Sequence, residues 1–257
     1  MKEFADKVLS AERGRTWLFS VGQAGFIIKS ASGQLLGIDL YLSDCVEPLE
    51  GHVGFKRLLP KILSPEELIF DVIIATHEHY DHFDVDAMPM LMANGKTRLF
   101  ASPDCDALVG HGRMDESRVT YVRPGDTHDV GDFSIRSTTC DHGKGAPDAV
   151  GIVVSVDGKR IFEAGDTCLR LDRIEEYTEL GSFDVLIAPI NGKYGNLNER
   201  ECAELANAIK PKLTVPCHYG MFASHGGNPG AFHDIMRTDY SDCKYLLMTQ
   251  GEAHEIP

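Results

Sequence analysis

The sequence predicts a layered α/β sandwich, and three observations carry that prediction. Short apolar runs that stop at turn residues recur along all 257 residues. Hairpin patterns come first and strand–helix alternation follows, which suggests an internal duplication of architecture. Groups of polar, metal-capable residues stand directly after several of the apolar runs. A hydrophobic fraction of 43% and a charged fraction of 25% belong to a globular chain. The length suits one domain with two buried sheets, expected to span residues 1–257.

The elements follow in order. Met1 to Arg15 is charged and lacks an apolar core, so it does not read as a secretory signal. Phe26-Ile27-Ile28 and Leu35-Leu36-Gly37-Ile38 flank Ser32-Gly33 and predict a hairpin. Asp71 to Thr76 predicts a buried strand, and Arg98 to Ala101, Val119 to Val122 and Phe133 to Thr138 predict three more. Val150 to Val156 and Arg160 to Ala164 are joined at Asp157-Gly158, a strong hairpin turn. Phe183 to Ile190 and Leu213 to Pro216 are further strands, and Tyr245 to Thr249 is expected to close a sheet. Between the first two, Asn198 and Glu201 can form a capping box. Cys202, Leu205, Ala206 and Ile209 then line one helical face until Lys210-Pro211 ends it. Asp86 to Asn94, Asp104 to Gly110, Leu171 to Leu180 and Pro229 to Thr238 show weaker helical patterns.

Charge and cysteine usage narrow the function. The formal net charge is −14 and no Lys/Arg run occurs, so a polynucleotide partner is disfavoured. Apolar stretches such as Val72-Ile73-Ile74-Ala75 are too short to cross a bilayer. The seven cysteines form no C-x-x-C pair, which fits free thiols in a reducing cytoplasm. Cys140 and Cys217 stand close to candidate ligands. The expected partner is a small molecule, and a homo-oligomer is left open.

The chemistry is concentrated in His77-Glu78-His79-Tyr80-Asp81-His82, directly after the Asp71–Thr76 strand. Strand ends are rigid platforms, so alternating His77 and His79 can converge on one metal, with Asp81 and His82 facing a second. His142, Asp166 and His218 each follow another predicted strand, and a carboxylate at Asp166 could bridge two cations. An all-imidazole and carboxylate donor set suits zinc, manganese or iron.

These residues resemble the metallo-β-lactamase superfamily, whose pattern is H-x-H-x-D-H followed by a separated His, Asp and His. The resemblance covers nearly the whole chain, with Asp39 in Ile38-Asp39-Leu40, the His77–His82 loop, His142, Asp166 and His218 in the expected order. It implies an αββα four-layer sandwich with two divalent metal ions at one edge of the two sheets. His77, His79 and His142 would hold one ion, Asp81, His82 and His218 the other, and Asp166 would bridge. Asp39 would steady the ligand loop rather than bind metal.

Within the superfamily the chain resembles the L-ascorbate 6-phosphate lactonase-like branch. Gly22-Gln23-Ala24-Gly25-Phe26-Ile27-Ile28-Lys29, Ile38-Asp39-Leu40-Tyr41, Ala75 to Asp84, and Val122-Arg123-Pro124-Gly125-Asp126 carry this likeness. It implies manganese and hydrolysis of a sugar or sugar-phosphate lactone by a metal-activated water, with Asp81 handling the proton. Other branches imply alternatives: a phosphodiesterase on a small or cyclic nucleotide, or a mononuclear iron dioxygenase. Diiron relatives commonly carry Glu where this chain has His79. A non-catalytic metabolite-binding protein is the reading from a different class. Lys193, Tyr194 and His225 are candidate substrate contacts, and Phe55-Lys56-Arg57 is a candidate clamp.

Overall fold

The computed structural model describes residues 2–257. A first sheet is built from β1 (Thr16–Gly22), β2 (Gly25–Lys29), β3 (Leu35–Ile38), β4 (Val72–Ala75), β5 (Arg98–Ala101) and β6 (Val119–Tyr121). A second holds β7 (Thr127–Val130), β8 (Phe133–Thr139), β9 (Val150–Val156), β10 (Lys159–Glu163), β11 (Val185–Pro189) and β12 (Leu213–Cys217). The last strand, β13 (Ala253–Ile256), returns to the first sheet and pairs antiparallel with β1. The sheet orders are β13-β1-β2-β3-β4-β5-β6 and β12-β11-β10-β9-β8-β7.

Each sheet changes from antiparallel to parallel part-way across. β1, β2 and β3 form a meander, after which β3 to β6 run parallel. β7 to β10 are antiparallel, and β10, β11 and β12 run parallel. This repetition is the internal duplication expected from the sequence. It also brings the C-terminal ends of β3 and β4 to one rim, and those of β8, β10 and β12 to one rim of the other sheet. β8 shares the direction of β10 because both lie antiparallel to β9.

Period-two alternation makes the four layers. Val72 and Ile74 of β4 enter the core between the sheets, with Ile28, Ile38, Ile152, Val154, Ile187 and Val215. Ile73 and Ala75 face the other way, toward helices. There they meet α1 (Lys2–Ser10), α3 (Met88–Met92) and α4 (Asp106–His111), after a short α2 (Glu47–Glu50) in the preceding loop. The second sheet is covered by α5 (Ile174–Thr178), α6 (Glu199–Ile209) and α7 (Pro229–Asp239). The architecture is therefore the expected αββα sandwich. Asn198 makes the predicted capping box with Glu201, and α6 stops at left-handed Lys210. Among the described residues no helix is long and apolar enough to cross a membrane.

Several departures from the expected elements have local causes. α1 and β1 were not predicted, because their apolar positions are few or continuous rather than periodic; Phe4, Ala5 and Val8 nevertheless bury one face of α1. β7 was also missed, since its half-exposed Thr-His-Asp-Val pattern carries little hydrophobic signal. Tyr245 to Thr249 is not a strand. It lies along β12, its backbone bonding to that strand through Thr214 alone, whose N–H donates to Lys244 O and whose carbonyl accepts from Leu246 N, both at 2.9 Å. The next β12 residue on that side is Pro216, which has no N–H to continue the ladder.

Candidate metal centre

The loop after β4 is a tight turn in which the amides of His82 and Phe83 both donate to the His79 carbonyl, at 2.8 and 2.7 Å. Asp84 locks its far side. That fully buried carboxylate accepts from the amides of Leu42, Ser43, Asp86 and Ala87 and from the Ser43 hydroxyl. Asp39 locks the near side, accepting from Thr76 N at 2.8 Å, Thr76 Oγ1 at 2.7 Å and His82 Nδ1 at 2.8 Å. Asp39 thus ties the end of β4 to His82 of the loop.

All seven predicted donors meet at the rim. Donor atoms of His77, His79 and His142 lie within 4.8 Å of one another, as do those of His77, His82 and Asp166, and those of Asp81, His82 and His218. His79 Nδ1 is 2.9 Å from His77 Nε2 and 3.2 Å from His142 Nε2. His82 Nε2 is 3.1 Å from His218 Nε2 and 3.4 Å from Asp166 Oδ2, which is 3.2 Å from His218 Nε2 and 3.8 Å from His142 Nε2. Asp166 therefore stands between the two groups.

Hydrogen bonding fixes which ring nitrogen faces the cluster. His82 gives its Nδ1 proton to Asp39. Thr76 Oγ1 donates to Asp39, so it accepts from His77 Nδ1 at 3.1 Å. Both rings then turn Nε2 toward the cluster, where it can bind a metal that displaces any proton it carries. Lone pairs crowded this closely in a buried rim repel unless a cation lies between them, so the donor set fits divalent metal ions.

Residues 17–218 match the family model described as Beta-lactamase superfamily domain. The chain belongs to the β-lactamase superfamily. A UPF0173 metal-dependent hydrolase from Pyrobaculum islandicum is 30% identical over 238 residues, covering 91% of this chain and 97% of the relative. That likeness places the chain in the same family of metal-dependent hydrolases. Another such hydrolase, from Anaeromyxobacter dehalogenans, is 28% identical over 233 residues, 85% of this chain and 80% of the relative. The solved structure of Igni18, a metallo hydrolase from Ignicoccus hospitalis, shares the fold with a TM-score of 0.74 at 19% identity. It matches 94% of this chain and 98% of that one.

In this β-lactamase-superfamily site the metal-free protonation pattern follows from burial and the two carboxylates. Burial opposes charge on His218, yet Asp166 and Asp81 outweigh it and raise its pKa to about 9. His82 is likewise raised well above its ordinary value against burial by Asp166, Asp39 and Asp81. Burial, reinforced by His82, drives His77 well below that value, and burial takes His142 down to about 4. Burial works against ionised Asp81 and Asp166, but His82 and His218 hold both well below the usual carboxylate range. Two imidazolium charges thus stand where a cation is demanded.

Gln23 is a member of the site that sequence reasoning missed. Its Nε2 donates to Asp81 Oδ2 at 2.8 Å and lies 3.3 Å from the His218 ring nitrogens, while its backbone carbonyl accepts from His218 N at 2.9 Å. It sits in the Gly22–Lys29 segment that carried the branch resemblance, but a lone glutamine in a turn offers no metal signal. Cys140 backs Asp166 by donating its thiol to the Asp166 carbonyl at 3.0 Å. Asn196 Nδ2 donates to Asp166 Oδ2 at 2.7 Å.

A cavity of about 580 Å³ opens onto these donors. Tyr194 and His225, both predicted as substrate contacts, line it, and His225 stacks on His218 with ring centroids 4.7 Å apart. Burial, with the nearby His218 charge, lowers the His225 pKa to about 3. Lys193 is not part of the lining: its ammonium donates to Ser224 O at 2.7 Å. The Phe55-Lys56-Arg57 clamp also divides. Phe55 lines the cavity, Lys56 pairs with Glu47 at 3.4 Å, and Arg57, its side chain largely covered, donates to the Tyr41 and Ser43 carbonyls.

Proposed function

We propose that this superfamily member is a metal-dependent hydrolase that opens a small cyclic ester, a lactone. The observation that carries the reading is the convergence of seven imidazole and carboxylate donors beside a cavity of small-molecule size. His77, His79 and His142 would hold one divalent ion, Asp81, His82 and His218 a second, and Asp166 both. Manganese or zinc suits these donors. Bound there, the ions supply an activated water and a Lewis acid for the ester carbonyl.

The chain's own groups handle the proton. Asp81 stays ionised and is held by Gln23, so its carboxylate accepts the proton of the attacking water. Water oxygen bonds to the acyl carbon, the ring C–O bond breaks, and the departing alkoxide takes that proton to give a hydroxy acid. The acidic side chains of Glu50 and Glu78 in the cavity wall disfavour retention of the carboxylate product.

The test is turnover by manganese- or zinc-reconstituted protein on a sugar lactone, a sugar-phosphate lactone and a cyclic nucleotide, with Asp81→Asn in parallel. Lactone opening well above the spontaneous rate, reduced at least about 100-fold in folded Asp81→Asn, is expected. Equal lactone rates in both proteins, or turnover of the cyclic nucleotide alone, would overturn the reading.

A further inference from the structure

The cavity lining identifies the class of cyclic ester. Phe55, Tyr194 and His225 form a triangle of rings with centroids 5.6, 5.3 and 5.7 Å apart, and His225 stacks directly on His218. Val46, Leu49 and Leu108 extend this wall. Leu49 and Tyr194 are 57% and 55% exposed, large apolar surfaces left open to water at the mouth. No lysine or arginine lines the cavity, and Glu50 and Glu78 do.

A phosphorylated substrate needs cationic or N–H donors around its oxygens. Among the nearby cations, Lys56 pairs with Glu47, Lys193 donates to Ser224 O and Arg57 lies over the Tyr41 ring, while exposed Lys144 stands two residues beyond His142, outside the lining. None of the four contributes to the cavity wall itself. The apolar wall instead rewards a group that leaves water.

We infer that, on the hydrolase reading above, the substrate is an uncharged cyclic ester carrying an apolar substituent, seated against Phe55, Tyr194 and Leu49 while its carbonyl faces the metal donors. A sugar-phosphate ring is the wrong charge for this wall.

The test uses non-hydrolysable probes, so binding is read apart from turnover. Calorimetry compares two five-membered lactams, one bearing a phenyl group and one a phosphomethyl group, on metal-loaded protein. The phenyl lactam is expected to bind about tenfold or more tighter. Phe55→Ala should erase most of that preference. Leu49→Lys, at an exposed position where folding is not at stake, should shift it toward the phosphomethyl probe. Equal or tighter binding of the phosphomethyl lactam by the unaltered protein overturns the inference, as does a Leu49→Lys protein with unchanged preference. Should the phenyl lactam bind as expected while no lactone is opened, the inference about the pocket stands and the ring-opening reading falls.

Discussion

At the scale of single residues, the rim is held by residues whose backbone conformations cost free energy. Gln23, Asp39, Tyr194 and His218 are four of the seven non-glycine residues with left-handed φ among those described. Such strain persists where surrounding contacts over-determine it, and here those contacts converge on one cluster. The same residues make metal-free stability depend on pH. His218 has a folded pKa of about 9 against an ordinary 6.5, so its contribution is complete below about pH 6.5 and is lost as pH rises through 9. His142 and His225, lowered to about 4 and 3, act oppositely: they remain neutral while the unfolded chain gains protons, so stability falls below about pH 6.5. Each contributes on the order of 3–5 kcal/mol at full effect. Urea unfolding in the presence of a chelator should therefore show a maximum near neutral pH and losses on both sides. A profile that is flat or monotonic from about pH 5 to about pH 9 would contradict this balance.

At the scale of elements, legibility followed the range of the interactions. α6 could be read because its cap, its apolar face and its terminating Lys210-Pro211 lie within one stretch of sequence. α1 could not, because the group that ends it belongs to β2. Lys29 Nζ, buried in the structure, donates to the carbonyls of Val8, Leu9 and Ala11 at 2.8, 2.8 and 2.9 Å. An ammonium at a helix C-terminus satisfies orphan carbonyls and complements the helix dipole. Nothing local to Lys2–Ser10 announces a partner twenty residues away. Lys29→Met keeps the stem and removes the donor, and should lower stability by about 2–3 kcal/mol. Equilibrium unfolding gives the magnitude, and amide exchange should locate the loss in α1. Unchanged exchange in α1 would mean that the helix is held by Phe4, Ala5 and Val8 alone.

At the scale of the whole molecule, the donor set was legible because each member follows a strand in sequence, while the grouping of those donors about two sites came only from the family resemblance. The parallel halves of the two sheets supply that grouping. His77, His79, Asp81 and His82 extend from the first sheet, and His142, Asp166 and His218 from the second. Gln23, whose role no composition signal betrays, joins them again by linking the β1–β2 turn to His218. Metal bound by both groups would therefore cross-link the sheets along one edge, adding stability according to its free concentration relative to its Kd. Ligand at about 100 times Kd adds about 2.7 kcal/mol per site, so chelation should lower Tm by roughly 5–10 °C. The loss should also be directional. Amides of the loops after β4, β8, β10 and β12 should exchange faster in the metal-free protein, while those around the Asp157-Gly158 hairpin, away from the donors, keep their protection. Uniformly faster exchange would indicate that metal stabilises the fold globally rather than fastening one rim, and an unchanged Tm would mean that the seven donors do not join the sheets through metal at all.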